Sequence, residues 1–284
     1  MSLLDILRVR AREGRQTVAY PDGPVKLPER FRGRPTLDAS RCPDGCERCA
    51  EACPTDAVGP LGAGAGGVGL DLGRCLFCAD CVEACPEGAI AFTRDFRLAA
   101  RTRGALVVQR DEALLAEALG QKLRELFGRS LKLREVCAGG CNGCEAELNA
   151  CGNIQFDMGR FGIQWVASPR HADGLVLTGP VTENMRDALL RTYEAIPAPK
   201  LVIAVGACAI SGGPFRGSPA VRDGVGDLLP VDLWLPGCPP HPLTFLDGVL
   251  RLLGRVQGGR EAEIVRLPQA TSESRAAAGA LKGR

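Results

Sequence analysis

The sequence predicts two unlike halves: a small α+β unit organised by cysteines, followed by an α/β unit with an open, mostly parallel sheet. Three observations carry this. Fourteen cysteines fall in blocks, two of those blocks repeat one another, and the second half alternates short aliphatic runs with helical patterns. A chain of 284 residues has room for about two domains. Its 45% hydrophobic and 24% charged content matches ordinary soluble chains, which excludes global disorder and a membrane-embedded fold. A formal charge of +2 gives no basic footprint for nucleic acid. Only Lys26, Lys122, Lys132, Lys200 and Lys282 are lysine among 35 basic residues, a bias that reads as genome composition. With no apolar stretch of about 20 residues and no apolar core of a secretory signal, a cytoplasmic chain is expected. In that reducing compartment cysteines read as metal ligands rather than disulfides.

Residues 1–36 form an N-terminal arm with eight basic and four acidic groups in its first 35 residues. Leu3, Leu4, Ile6, Leu7 and Val9 interleave with Arg8, Arg10 and Arg12. Two readings fit: a short amphipathic helix resting on a membrane subunit or lipid, or a solvated helix.

Residues 37–100 hold the repeat. Cys46-Glu-Arg-Cys49-Ala-Glu-Ala-Cys53-Pro54 aligns with Cys78-Ala-Asp-Cys81-Val-Glu-Ala-Cys85-Pro86 at an offset of 32. Cys75-x2-Cys78-x2-Cys81-x3-Cys85-Pro86 is the full signature of a two-cluster bacterial ferredoxin. In such proteins the fourth cysteine of each run crosses to the other cluster. Cys42, Cys46, Cys49 and Cys85 are therefore expected to hold one 4Fe-4S cluster, and Cys53, Cys75, Cys78 and Cys81 the second. Zinc sites favour separated CxxC pairs, and tandem runs ending in Cys-Pro are not their pattern. The first run departs by one residue, Cys42-Pro-Asp-Gly-Cys46. Its turn-forming composition lets the extra residue bulge outward, the alternative being a labile or three-iron cluster. The intervening Gly62-Ala-Gly64-Ala-Gly66-Gly67 matches a dinucleotide fingerprint only formally, lacking the strand and helix that such a loop needs.

Residues 101–130 read as a connecting helix. Asp111 is its N-cap, Leu114, Leu115, Ala118, Leu119, Leu123, Leu126 and Phe127 are its buried stripe, and Gly128 is its stop. Within 131–256, strands are expected at 131–136, 163–167, 174–178, 200–205 and 231–235, with helices at 183–196 and 242–253. This alternation predicts a flavodoxin-like open parallel sheet. Cys141 and Cys144, Cys208 and Cys238 each follow a predicted strand, at the sheet edge where ligands bind in doubly wound folds. Glycine and proline flank all of them, letting backbone approach a cluster and fixing the loops. Residues 257–284 read as a poorly ordered tail or a strap on a partner.

Several motifs carry a specific resemblance. Cys137-Ala-Gly-Gly-Cys141-Asn-Gly-Cys144-Glu145, Arg160-Phe161-Gly162-Ile163, Ser168-Pro-Arg-His-Ala-Asp173, Thr178-Gly-Pro-Val-Thr182, Gly206-Ala-Cys208 and Pro236-Gly-Cys-Pro-Pro240 resemble the small subunit of energy-converting, membrane-bound NiFe hydrogenases of the formate hydrogenlyase type. That family is in turn similar to the 20 kDa subunit of respiratory complex I. The segment from Phe31-Arg-Gly-Arg-Pro35 through Phe92 resembles the polyferredoxin-type subunit of the same complex, so the chain looks like a fusion of two subunits.

The resemblance implies a third 4Fe-4S cluster on Cys141, Cys144, Cys208 and Cys238. Complex I subunits carry adjacent cysteines where this chain has Cys141-x2-Cys144, which favours the hydrogenase side. It also implies Glu145 on a proton route, the simpler reading being an acid favoured at a helix N-terminus. Cys137 is expected as a buried thiol beside the cluster, Cys151 as a small core residue, and His171 and His241 as structural. The implied protein is an electron-transfer subunit of an oxidoreductase, without a complete active site and without nickel-ligand cysteine pairs. Its implied partners are a NiFe hydrogenase-type large subunit, membrane-embedded complex I-like subunits, and a soluble electron donor or acceptor or a formate dehydrogenase-type module. Its implied location is the cytoplasmic face of the cell membrane. A complex I-like quinone reductase subunit and a zinc-stabilised scaffold are the alternatives.

Overall fold

The computed structural model describes residues 2–43, 45–60, 68–108 and 118–257. The glycine run 62–67, the predicted helix start at Asp111 with Leu114 and Leu115, and nearly all of the 257–284 tail lie outside the described residues.

Helix α1 (Leu3–Glu13) starts at a capping box in which Ser2 and Asp5 satisfy one another's backbone N–H groups. Beyond it the arm straps across the second half of the chain. The Thr17 hydroxyl donates to the Ile154 carbonyl (2.9 Å), Val18 N–H to Gln155 O (2.9 Å), and Arg160 Nη2 to Tyr20 O (2.8 Å). Tyr20 itself is buried, its hydroxyl donating at 2.6 Å to the Asp247 carboxylate, which also accepts from Arg251 Nε at 2.9 Å. Asp247 is fully buried, so these two partners are what make its burial tolerable.

The cysteine repeat is also a repeat in space. Its first copy runs β1 (Pro35–Leu37), α2 (Arg48–Glu51), β2 (Val58–Pro60); its second runs β3 (Val68–Asp71), α3 (Asp80–Ala84), β4 (Ile90–Phe92). Neither copy pairs its own strands. β1 is antiparallel to β4, with Leu37 opposite Ile90, and β2 is antiparallel to β3, with Val58 opposite Leu70. The end of each copy is thereby carried to the start of the other.

The connection at 101–130 is not one helix. β5 (Val107–Val108) adds to β3, as β-branched residues favour, and α4 (Gln121–Phe127) begins only after Gly120, whose ψ of 152° is extended. Gly128 follows its last turn, donating to Arg124 O at 2.7 Å.

The second half is β6 (Leu131–Cys137), α5 (Gly143–Ala150), β7 (Ile163–Trp165), β8 (Gly174–Thr178), α6 (Glu183–Ala195), β9 (Leu201–Val205), α7 (Gly206–Ser211), β10 (Leu233–Leu235) and α8 (Pro242–Leu252). Its five strands form one parallel sheet in the order β7-β6-β8-β9-β10. The chain steps outward from β6 to β7, then returns to the other side of β6 with β8, which creates a switch point at that edge. Strands buried on both faces need apolar residues throughout, hence Gly174-Leu-Val-Leu-Thr178 and Leu201-Val-Ile-Ala-Val205. Leu175, Leu177, Val202, Ala204 and Trp234 face one core; Val176, Leu201, Ile203, Leu233 and Leu235 face the other, with Tyr20 of the strap and most of α8.

The first of these cores is continuous with that of the dicluster unit, through Ala100, Leu106 and Ile210 to Leu70, Leu72 and Ile90. Ala100 exchanges backbone hydrogen bonds with Trp234 (3.0 and 2.8 Å), closing the β10 edge. Arg103 grips Asp71 with both nitrogens (2.8 and 2.6 Å), and Ser211 Oγ donates to Gly73 O at 2.9 Å. Gly73 permits that contact, since a Cβ there would lie 2.7 Å from Ile210.

Candidate metal centres

Cys42, Cys46 and Cys49 of the first run and Cys85 of the second line one cavity of about 110 Å³, closed by Leu37 and Ile90. Cys85 reaches it because β4 pairs with β1. Its sulfur accepts from Ala89 N–H at 3.3 Å. Burial, followed by the Cys42 charge, pushes the Cys49 thiol up, with Cys85 adding to the rise.

Cys75, Cys78 and Cys81 gather around Cys53 in the same manner. The Cys53 sulfur accepts from Ala57 N–H at 3.2 Å, 32 residues before the equivalent Ala89 to Cys85 bond, and Cys75 accepts from Phe77 N–H at 3.3 Å. Both turns need a left-handed residue, supplied by Asp56 (φ 51°) and Gly88 (φ 60°). Burial, then the neighbouring thiolates, pushes Cys75 and Cys81 each up to about 12, with Cys53 among the charges felt by both. The extra residue of the first run changes the offset from 33 (Cys42 to Cys75) to 32 (Cys46 to Cys78). Gly45 (φ 70°) then takes the left-handed position that Phe77 (φ 54°) holds in the second run.

The remaining set comes from three separate strand ends. Cys141 and Cys144 follow β6, Cys144 in the first turn of α5; Cys208 lies in α7, directly after β9; Cys238 follows β10. Helix α7, which the sequence pattern does not predict, buries all six of its residues. Burial, then the charges of Glu145, Cys208, Cys238 and Cys141, pushes the Cys144 thiol far up; Cys208 rises to about 11 through burial, Cys238 and Cys141. Glycine makes room for the sulfurs. A Cβ on Gly206 (φ 89°) would lie 2.5 Å from Cys144 Sγ, and one on Gly213 2.9 Å from Cys208 Sγ. Should this set hold a 4Fe-4S cluster, Gly206→Ala is expected to lower the iron content by about four atoms per chain without removing a cysteine, as iron analysis would read.

These sets suit a multi-iron cluster. The donors are soft thiols, backbone N–H groups point at three of the sulfurs, and the first set rings a cavity. Among the described residues, no three His, Cys, Asp or Glu side chains converge on a single-ion point. Thiols that oppose one another's ionisation must lose their protons to bind metal, and a cationic core relieves that repulsion.

Charge is felt between the sets. The Cys49 charge reaches Cys81, joining the first set to the second, and the Cys78 charge reaches Cys238, joining the second to the third.

Glu145 is buried beside Cys144 and accepts from the Thr178 hydroxyl at 2.6 Å. Burial raises its carboxyl, but hydrogen bonds from Cys137 and Thr178 outweigh this and hold it below the usual range. Cys137 is exposed, contrary to the buried thiol expected: it shares the Leu131 and Leu133 face but is the last residue of β6, at the open end of the sheet. Cys151 is fully buried, as expected of a core residue. His241 accepts from Leu243 N–H through Nδ1 (3.1 Å), capping α8, between Phe31 and Phe156. Burial holds its imidazole down at about 4, hence neutral. His171 sits in a short turn beside Pro169 and Arg170.

Glu135 escaped the sequence pattern, although a charged residue in an apolar strand could have signalled it. It shares a face with Leu131 and Leu133, and its Oε1 is buried without a hydrogen-bond partner among the described residues. Burial, then the Glu145 charge, raises its carboxyl to about 7. Between pH 4.5 and 7 the native state therefore binds more protons than the unfolded state, and stability falls as pH rises through that window. Glu135→Gln is expected to stabilise the chain at pH 8 by about 1 kcal/mol, discounted for partial solvent exposure. The gain should vanish near pH 4.5, read as the difference in urea midpoint from the parent chain.

Residues 41–90 match the family described as 4Fe-4S dicluster domain, and residues 141–252 match NADH ubiquinone oxidoreductase, 20 Kd subunit. The probable membrane-bound hydrogenase subunit mbhJ of Pyrococcus furiosus is 42% identical over 135 residues, 48% of this chain and 81% of that protein. Formate hydrogenlyase subunit 7 of Escherichia coli is 46% identical over 129 residues, 45% of this chain and 51% of that protein. An NADH-quinone oxidoreductase subunit of Carboxydothermus hydrogenoformans is 47% identical over 118 residues, 41% of this chain and 71% of that protein. With cysteine sets built for iron-sulfur chemistry and similarity of this extent, the chain belongs to the 20 kDa NADH ubiquinone oxidoreductase subunit family of redox-enzyme subunits, and carries a 4Fe-4S dicluster domain ahead of it.

Proposed function

We propose that this chain is the iron-sulfur electron-transfer subunit of a membrane-associated, formate hydrogenlyase-like NiFe hydrogenase complex. It relays electrons to or from a NiFe site in a partner large subunit. The observation that carries this reading is the gathering of the cysteines into three sets, two through the exchange of strands between the copies and one at three strand ends of the parallel sheet. Three 4Fe-4S clusters would be held by Cys42, Cys46, Cys49 and Cys85; by Cys53, Cys75, Cys78 and Cys81; and by Cys141, Cys144, Cys208 and Cys238. When bound, they supply reversible one-electron chemistry.

The chain's own residues hold, orient and insulate. Ala57, Phe77 and Ala89 direct N–H groups at ligand sulfurs, which favours the more negative state of each thiolate. The shared core and the Arg103 to Asp71 pair keep the dicluster unit at a fixed distance from the α/β unit. Exposed Cys141 and Cys238 put the third set at the surface, where a large subunit would cover it. Glu145, which accepts from Thr178 beside the third set, is the residue proposed on a proton route, though its hydrogen bonds hold it ionised and make it a weak proton acceptor.

The strand order supports a flavodoxin-like second domain over 131–256, with the dicluster domain over 37–100. The partners are membrane-embedded complex I-like subunits and a soluble donor or formate dehydrogenase-type module at the Cys46 end, and the location is the cytoplasmic face of the membrane. A complex I-like quinone reductase is the second reading, favoured by similarity to NADH-quinone oxidoreductase subunits. The Cys141-x2-Cys144 spacing weighs against it. The chain purified anaerobically should hold about twelve iron and twelve acid-labile sulfide. Stoichiometric zinc without sulfide would overturn the reading in favour of a zinc scaffold. Nickel in a co-purified large subunit separates hydrogenase from quinone reductase.

A further inference from the structure

Helix α1 is the part of the described chain with no packing of its own. Its eleven residues include no buried side chain, and Leu3, Leu4 and Leu7 are 73%, 64% and 56% exposed. At about 100° per residue, Leu3, Leu4, Leu7 and Ala11 fall on one stripe, with Ile6 on the far side of Arg10. Arg8 and Arg10 flank that stripe, and Asp5, Val9 and Arg12 lie away from it. Such an apolar stripe in water is unfavourable unless something covers it.

The charges indicate what does. Arg8, Arg10, Arg12 and Arg15 stand against only Asp5 and Glu13, and Asp5 is already engaged at the helix N-terminus by the Ser2 N–H and hydroxyl. The free charge of the helix is therefore cationic. Gly14 (φ 63°) ends it with nothing within 4 Å of where a Cβ would sit, and the next fixed point is Thr17 on Ile154. A helix hinged in this way, about 16 Å long, can lie flat on a plane without a fixed docking geometry. No helix among the described residues is long and apolar enough to cross a membrane.

We propose that α1 is an interfacial helix that lays Leu3, Leu4 and Leu7 into an anionic lipid bilayer while its arginines meet the headgroups. Three turns of this kind give reversible, salt-sensitive binding, strong only beside a second attachment. The inference deepens the membrane association proposed above, and it rests on that reading only for its biological setting.

The test uses the full cluster-loaded chain, sedimented with vesicles of phosphatidylcholine containing about 30% phosphatidylglycerol and with vesicles of phosphatidylcholine alone. At least tenfold stronger binding to the anionic vesicles, reversed by high salt, is expected. Leu3→Glu with Leu7→Glu should reduce that binding about tenfold, with iron content unchanged because α1 contributes nothing to the core. Equal binding by this variant and the parent chain overturns the proposal. So does absence of binding to anionic vesicles, including the case in which α1 is needed only for association with detergent-solubilised membrane proteins, which would make it a protein-docking face. A chain with all its iron and sulfide but no vesicle binding would sink this inference alone, leaving the electron-transfer reading intact.

Discussion

If the chain carries the three proposed clusters, a Cys144→Ala chain is expected to hold about eight iron and eight sulfide against about twelve in the parent. Cys144 sits in the first turn of α5 with Cys208, Cys238 and Cys141 around it, and a cubane deprived of one of four thiolates is not retained in an exposed site. The other two sets draw their cysteines only from residues 42–85, and their fold rests on strand pairs β1 with β4 and β2 with β3. Electron paramagnetic resonance of the reduced chain should lose one signal and keep the coupled pair. Loss of all the iron would mean that the two units cannot load separately, and the ligand division would fall.

Cys85→Ala tests the crossing. Although Cys85 belongs to the second run in sequence, its loss should empty the set of the first run and again leave about eight iron atoms. Adding Cys46→Ala should then change nothing, since both residues serve one set. Adding Cys78→Ala should bring the count down to about four. The reverse pattern would show that each run keeps its own fourth cysteine. The expectation follows from the strand exchange, because the segment after α3 must leave its own copy to pair with β1, and Ala89 N–H then fixes the Cys85 sulfur there.

Much of this architecture was legible in the chain itself, for local reasons. A CxxCxxC run places three thiols around one point through the backbone alone, so the dicluster unit could be read from spacing. The aliphatic runs at 174–178 and 201–205 are strands because residues buried on both faces leave little room for polar alternation, and the structure places β8 and β9 there. The connecting helix failed at Gly120, whose extended backbone outweighed a leucine periodicity that ran across it from Leu119 to Leu123. Helix α7 escaped notice because Gly206-Ala-Cys-Ala-Ile-Ser211 is apolar all round and has no period to detect.

By itself the sequence determined which cysteines act in runs, that two runs are copies, and that the second half is a parallel α/β sheet. These depend on neighbours a few residues apart. Only the tertiary structure decided that the Tyr20 strap belongs to the core of the second half, that Cys137 is exposed, that Glu135 is buried near Glu145, and that Cys238 feels the charge of Cys78. Most of these join residues tens to hundreds of positions apart. Their meeting is set by strand order and by a core continuous across both units, which no local pattern encodes.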